Sequence, residues 1–283
     1  MAEHGNLDAA GRLVRRYDRD RYLASLFAPT AERQALFALY AFNVEVAKTR
    51  EVVREPMLGG IRLQWWREAI EEIYAGRPPR QHEVILPLAQ AIRRHGLPAE
   101  AFYRLLDARE QDLEAEPPAD LVALRAYAEG TSSSLVGLAL TVLGAGEAAA
   151  LEIARQVGIA YALVGLLRAV PFHARAQRLY LPRVMLEEFS VNTQQLFDLK
   201  PSNGLPELTR RLAEEARSLL AEARAQHRAI PRAAVPALLP AVATDLYLRR
   251  LARVGHDVFH PSLAESPPSA LWRMGWRALR GRF

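Results

Sequence analysis

The 283-residue chain contains no cysteine. This one absence excludes a disulfide framework, a thiolate zinc site and a cysteine nucleophile, and it is compatible with a reducing compartment. Long apolar runs are missing too: the most hydrophobic stretch, residues 158–167, falls well short of the roughly 18 residues a spanning helix needs. Residues 1–20 mix acids among their bases and hold no apolar block, so they read as neither a secretory signal nor a transit peptide. Alternating β-branched runs do not occur, which removes strands from the expectation. No fixed-period repeat is present, so a solenoid is excluded.

What remains is helical. Half of the residues are hydrophobic, enough for one core, and the chain reads as a single all-α domain over residues 1–283. Residues 8–27 form one expected helix, closed by Pro29, and Thr30 is the expected N-cap of the next, which runs to about residue 54. Further helices are expected over residues 61–74, 102–114, 121–143, 205–227 and 233–254. Residues 148–167 are apolar on all sides and predict a central buried helix. Within 121–143, the small residues Thr131, Ser132, Ser133 and Ser134 predict a place where another element approaches closely.

The formal charge of +5, from 37 basic and 32 acidic residues, favours anionic partners without choosing among lipid headgroups, diphosphates and nucleic acid. Its distribution says more. Residues 271–283 hold four arginines and no acid, interleaved with Trp272, Trp276 and Phe283. With the ordered helical core expected to end at Pro261, residues 262–283 read as a basic Trp/Arg tail suited to lying on an anionic membrane surface. Elsewhere the arginines are spread along helices and no nucleic-acid motif accompanies them, so no nucleic-acid partner is expected.

Several phrases occur in the order that one family uses them. They are Leu39-Tyr40-Ala41-Phe42, Trp65-Trp66-Arg67-Glu68, Tyr74-Ala75-Gly76-Arg77-Pro78, Arg93-Arg94-His95-Gly96-Leu97-Pro98 and Arg178-Leu179-Tyr180-Leu181-Pro182. The chain therefore resembles the squalene/phytoene synthase family, which implies an isoprenoid-synthase helical bundle around a central cavity. By that resemblance Tyr40, Asn43, Val44, Thr131, Ser134, Tyr161 and Ala162 line the cavity.

The resemblance fails where the family's chemistry is concentrated. Condensation of prenyl diphosphates needs the leaving diphosphate held by magnesium, a hard ion that bridges carboxylates to phosphate oxygens. Residues four apart share a helix face, so an Asp-x-x-x-Asp pattern aims two carboxylates into one cavity. Here the first such motif reads Ala47, Lys48 and Glu51, with Val44 in place of the family's arginine. The second reads Gly165, Arg168, Ala169 and His173, where only the arginine survives. No metal or other cofactor is expected.

The phrases Phe42-Asn43-Val44-Glu45 and Arg168-Ala169-Val170-Pro171-Phe172-His173 resemble a degenerate, non-catalytic branch of the family connected with assembly of respiratory complex I. This implies a pseudoenzyme whose partners are complex I subunits or assembly intermediates, placed in the cytoplasm or peripherally on the inner face of the inner membrane, and not secreted. Two alternatives stand beside it. One is an active magnesium-dependent prenyltransferase condensing farnesyl or geranylgeranyl diphosphate, using Glu45, Glu51 and acids among Asp107, Glu110 and Asp112. The other is a metal-free receptor for a prenyl diphosphate or lipid, with Lys48, Arg168 and Arg178 on the anion. Residue by residue, Lys48 and Glu51 also fit a surface ion pair, His173 a hydrogen-bonded structural histidine, and Arg168 a buried cation paired with Glu51 or Glu45.

Overall fold

The computed structural model describes residues 8–53 and 55–283, and every regular element among them is helical. The first expected helix is two: α1 (Ala9–Tyr17) and α2 (Arg19–Ser25). Asp18 divides them, since its amide closes α1 on the Val14 carbonyl while its carboxylate accepts from the Arg21 amide and caps α2. The next helix, α3 (Thr30–Ala47), has Pro29 rather than Thr30 at its cap position; Thr30 is already its first helical residue. Every residue from 35 to 44 is buried, so α3 lies inside the bundle. The chain then breaks at Lys48 into the single turn α4 (Thr49–Val52).

α5 (Pro56–Tyr74), α6 (Ile85–His95) and α7 (Ala99–Glu110) pack around α3, and α7 ends in a 3-10 turn, Gln111–Leu113. α8 (Leu121–Ala128) and α9 (Ser134–Val142) are joined by a π-turn, Glu129–Ser133, in which the Ser134 amide donates to the Glu129 carbonyl. Small side chains here serve close packing, as expected. A Cβ on Gly158 would lie 2.4 Å from the Ser133 Cα, and one on Gly130 would lie 2.5 Å from the Ala108 Cβ.

α10 (Ala148–Arg175) is the central helix and touches α9, α13, α14 and the π-turn. It is long and apolar enough to cross a membrane by length and composition, beyond the sequence expectation. Half of that apolar window is buried against protein, which marks a core helix. It runs past the expected end at Leu167 and takes Pro171 inside, leaving the Leu167 carbonyl without its helical donor. The short α11 (Arg183–Glu188) and α12 (Thr193–Phe197) lead to α13 (Leu205–Ala225) and α14 (Pro240–Arg253).

The ordered core does not end at Pro261. α15 (Ala270–Leu279) packs on α14, α2 and the 3-10 segment Arg232–Leu238, with Ala270, Met274 and Phe283 buried. An apolar pair four residues apart beneath the arginines holds this helix to the bundle, and the arginine content of the segment obscured that pair in the sequence.

Candidate functional site

Neither relic motif survives as a set of ligands. Ala47 and Lys48 are half-buried at the end of α3, and the chain turns at Lys48 so that Glu51 is exposed on α4. The Lys48 Nζ sits 2.9 Å from the centre of the Tyr17 ring, a cation–π contact that replaces the expected pairing with Glu51. Glu45 is bound by Arg62 at 2.7 Å. Asn43 and Val44 are buried, the Asn43 Oδ1 without a protein donor.

The second motif lies on α10, which carries Tyr161, Ala162, Gly165, Arg168, Ala169 and His173, all half-buried. A Cβ at Gly165 would meet nothing within 4 Å, so the erased ligand position borders open space. Thr131 is buried with its hydroxyl donating to the Tyr127 carbonyl at 2.8 Å, and Ser134 is half-buried.

Arg168 binds neither Glu51 nor Glu45. Its Nε donates to the Leu263 carbonyl at 2.9 Å and its guanidinium lies 3.5 Å from the centre of the Tyr247 ring. The Tyr247 hydroxyl donates to Asp20 at 3.4 Å. The expected partners fail because α4 turns Glu51 outward and Arg62 takes Glu45.

Beside Arg168 lies a charged network that sequence reading overlooked. The Arg21 Nη1 binds Asp18 at 2.7 Å, and its guanidinium is 4.6 Å from the Tyr161 ring centre and 5.7 Å from that of Tyr40. Its Nη2 donates to the Ser132 hydroxyl at 3.4 Å, and the Tyr161 hydroxyl donates to Asp18 at the same distance. Burial alone pulls the Arg21 pKa down, and the Asp18 carboxylate more than offsets this, so the group stays cationic. Burial, then the neighbouring Asp18 charge, pushes the Asp20 carboxyl up. Burial likewise raises the Tyr40 and Tyr161 hydroxyls. The available signal was the alternation Asp18-Arg19-Asp20-Arg21 inside an otherwise apolar pattern, too dense in charge for a buried helix unless paired.

A second buried cluster surrounds Asp112. One of its oxygens accepts from the Tyr127 and Tyr180 hydroxyls, each at 2.7 Å, and the other from Arg109 at 3.1 Å. Asp107 and Glu110, grouped with Asp112 among the residual acids, instead bind Arg67. His173 lies against Tyr180, ring centres 4.5 Å apart, and its Nδ1 is buried without a protein partner, contrary to the expected hydrogen bond. Burial lowers its pKa to about 4, with the Asp112 charge opposing, so the imidazole is neutral. Arg178 donates through Nη2 to the Glu114 carbonyl at 2.5 Å and leaves Nη1 buried and unpaired.

A magnesium cluster does not fit these residues. No three carboxylates or histidines converge among the described residues, and Ala47, Gly165 and Ala169 offer no donor atom. The five residual acids are dispersed: Glu45 on Arg62, Asp107 and Glu110 on Arg67, Asp112 between two tyrosines, Glu51 in solvent.

Residues 14–274 match the family model described as squalene/phytoene synthase. The chain belongs to the squalene/phytoene synthase family. Among proteins of this family, the dehydrosqualene synthase solved with a ligand superimposes with a TM-score of 0.81 at 19% identity, covering 96% of this chain and 94% of that one. That likeness establishes the isoprenoid-synthase fold. A bovine (Bos taurus) protein named NADH dehydrogenase (ubiquinone) complex I, assembly factor 6 is 35% identical over 94% of this chain and 80% of its own length. A presqualene diphosphate synthase from Rhodopseudomonas palustris is 28% identical over 76% of this chain and 77% of its own.

Proposed function

We propose that the protein is a non-catalytic family member that assists assembly of respiratory complex I and acts at the inner face of the membrane holding that complex. The observation supporting the first half is the pair of relic helices, which present Ala47, Lys48, Gly165, Ala169 and a neutral His173 where a diphosphate would need metal-bound carboxylates. The second half rests on the 35% identity to a protein named for that role. Purified full-length protein incubated with farnesyl or geranylgeranyl diphosphate and magnesium is expected to release no diphosphate above a protein-free control. Release that disappears on chelation would overturn the non-catalytic reading. In cells lacking their own relative of this chain, expression should restore mature complex I on native gels; failure to do so removes the assembly role.

A second reading has its own support. Open space at Gly165 and the unpaired Arg178 Nη1 suit a metal-free site for a prenyl diphosphate or a lipid anion. Titration with a farnesyl diphosphate analogue in chelator should then give saturable heat that Arg178→Ala weakens. No heat at all removes this reading and leaves the first untouched.

A further inference from the structure

A concavity on the surface is lined by none of the relic-motif residues. Between α14 and α15 a groove of about 740 Å³ is lined by Arg249, Arg273, Arg277, Arg280 and Arg282, with Trp272 and Trp276 on its rim. A smaller hollow of about 240 Å³ continues it past Arg250 and Arg253. One carboxylate, Asp245, lines the larger groove, and both of its oxygens are held by Arg224 at 3.1 and 2.8 Å. None of the five lining arginines is within ion-pair distance of a carboxylate among the described residues. Burial, and after it the neighbouring arginines Arg224, Arg282 and Arg249, press the Arg277 pKa down, with the Asp245 charge opposing.

Elsewhere the protein neutralises several of its arginines internally. Arg21, Arg62, Arg67, Arg80, Arg109, Arg155 and Arg210 each hold a carboxylate. The groove therefore lacks a counter-charge that the fold supplies to those arginines, and phosphate oxygens suit the guanidinium fork.

The groove's rim narrows the class of anion. On α15, Ala270 and Met274 face the bundle, while Leu271, Trp272, Trp276 and Leu279 point outward, with Trp272 82% and Leu279 70% exposed. Helical periodicity places Arg273, Arg277 and Arg280 along the edge between those two faces. An exposed apolar stripe flanked by cations fits the boundary between headgroups and acyl chains, where indoles are favoured. A nucleic acid or an acidic peptide would satisfy the arginines and leave the two leucines in water.

We infer that the α14–α15 groove binds the phosphate of anionic phospholipids and, with Trp272 and Trp276 inserted beside it, seats the protein on a membrane surface. The lipid phosphate enters among Arg249, Arg273 and Arg277, and the acyl region receives Leu271, Trp272, Trp276 and Leu279. This inference does not depend on the assembly role, because it concerns a different face from the relic motifs.

The test is flotation of full-length protein with vesicles of phosphatidylcholine alone or with added phosphatidylglycerol. Protein should float only with the anionic vesicles, and the tryptophan emission should shift to the blue. Each arginine near an anionic surface is worth about fivefold in partition, so R249Q/R273Q should weaken flotation about 25-fold with unchanged circular dichroism. W272A/W276A should lose the emission shift and float less. Equal flotation with neutral vesicles, no flotation, or an R249Q/R273Q variant that floats like the parent would each overturn the proposal. So would release by millimolar inorganic phosphate, which would mean a free-phosphate site. Competition by single-stranded RNA that ignores the tryptophan changes would point to a nucleic-acid face and likewise refute it.

Discussion

The centre of the bundle and its α14–α15 face use the same side chain in opposite ways. In the centre, Arg21 is enclosed by Asp18, Tyr40, Tyr161 and Ser132, and Arg168 by Tyr247 and the Leu263 carbonyl. On the α14–α15 face, five arginines share one carboxylate that another arginine already holds. The difference teaches where to look for a ligand. A cation whose partners are built into the fold is structural, whereas a cluster without free carboxylates, with only Arg280 stacked on Trp276, is completed from outside. Arg21 and Arg168 in the centre of the bundle meet the first condition.

This contrast can be broken by substitution. Arg21→Met strands the Asp18 carboxylate in the core and should destabilise the protein by about 3–5 kcal/mol, read from denaturant melts. An unchanged midpoint would mean the centre is no more integrated than the surface.

Protonation of His173 sharpens the same comparison. Its folded pKa of about 4 lies below the ordinary 6.5, so the unfolded chain binds more protons between these values. Stability is therefore full above about pH 6.5 and falls as the pH drops toward 4, by at most about 3 kcal/mol from this group. His173→Phe should flatten that acid limb, and a parental pH profile in the variant would assign the limb to other groups.

Gly165 gives a smaller effect of opposite sign. Open space receives its Cβ and the position is mid-helix, so Gly165→Ala should stabilise the fold by roughly 0.5–1 kcal/mol. Loss of stability there would mean that the space beside Gly165 is tighter than its Cβ surroundings indicate. Smallest of all, R249Q/R273Q should shift the melting midpoint by less than about 0.5 kcal/mol equivalent while removing vesicle binding, because surface charges without partners contribute little to folding.

Sequence reading reached the fold class, the central burial of α10 and the lost carboxylates, because these depend on periodicity and on residue identity at motif positions. It missed what depends on three-dimensional pairing. That Arg168 would stack on Tyr247, 79 positions away, has no local signature, and neither does the capture of Asp112 by Tyr127 and Tyr180. The division at Asp18 was readable in principle, since an aspartate within an apolar helical pattern is a common cap. The docking of α15 was hidden by composition: the arginines suggested solvent, while Ala270, Met274 and Phe283 carried the packing.

The π-turn between α8 and α9 has a further consequence, for insertions and deletions. Its wider coil fits one more residue into the turn than an α-helix would. The turn lies between two contacts: Tyr127 before it reaches Asp112, and Ser133 at its end meets Gly158. Deleting one residue from 129–133 would let the segment close as an ordinary α-helix with α9 in nearly its present phase, whereas deleting one within α9 would turn everything after it by about 100°. A one-residue deletion in the π-turn should therefore damage folding less than one within α9, which would present the wrong side of the residues after it to α10.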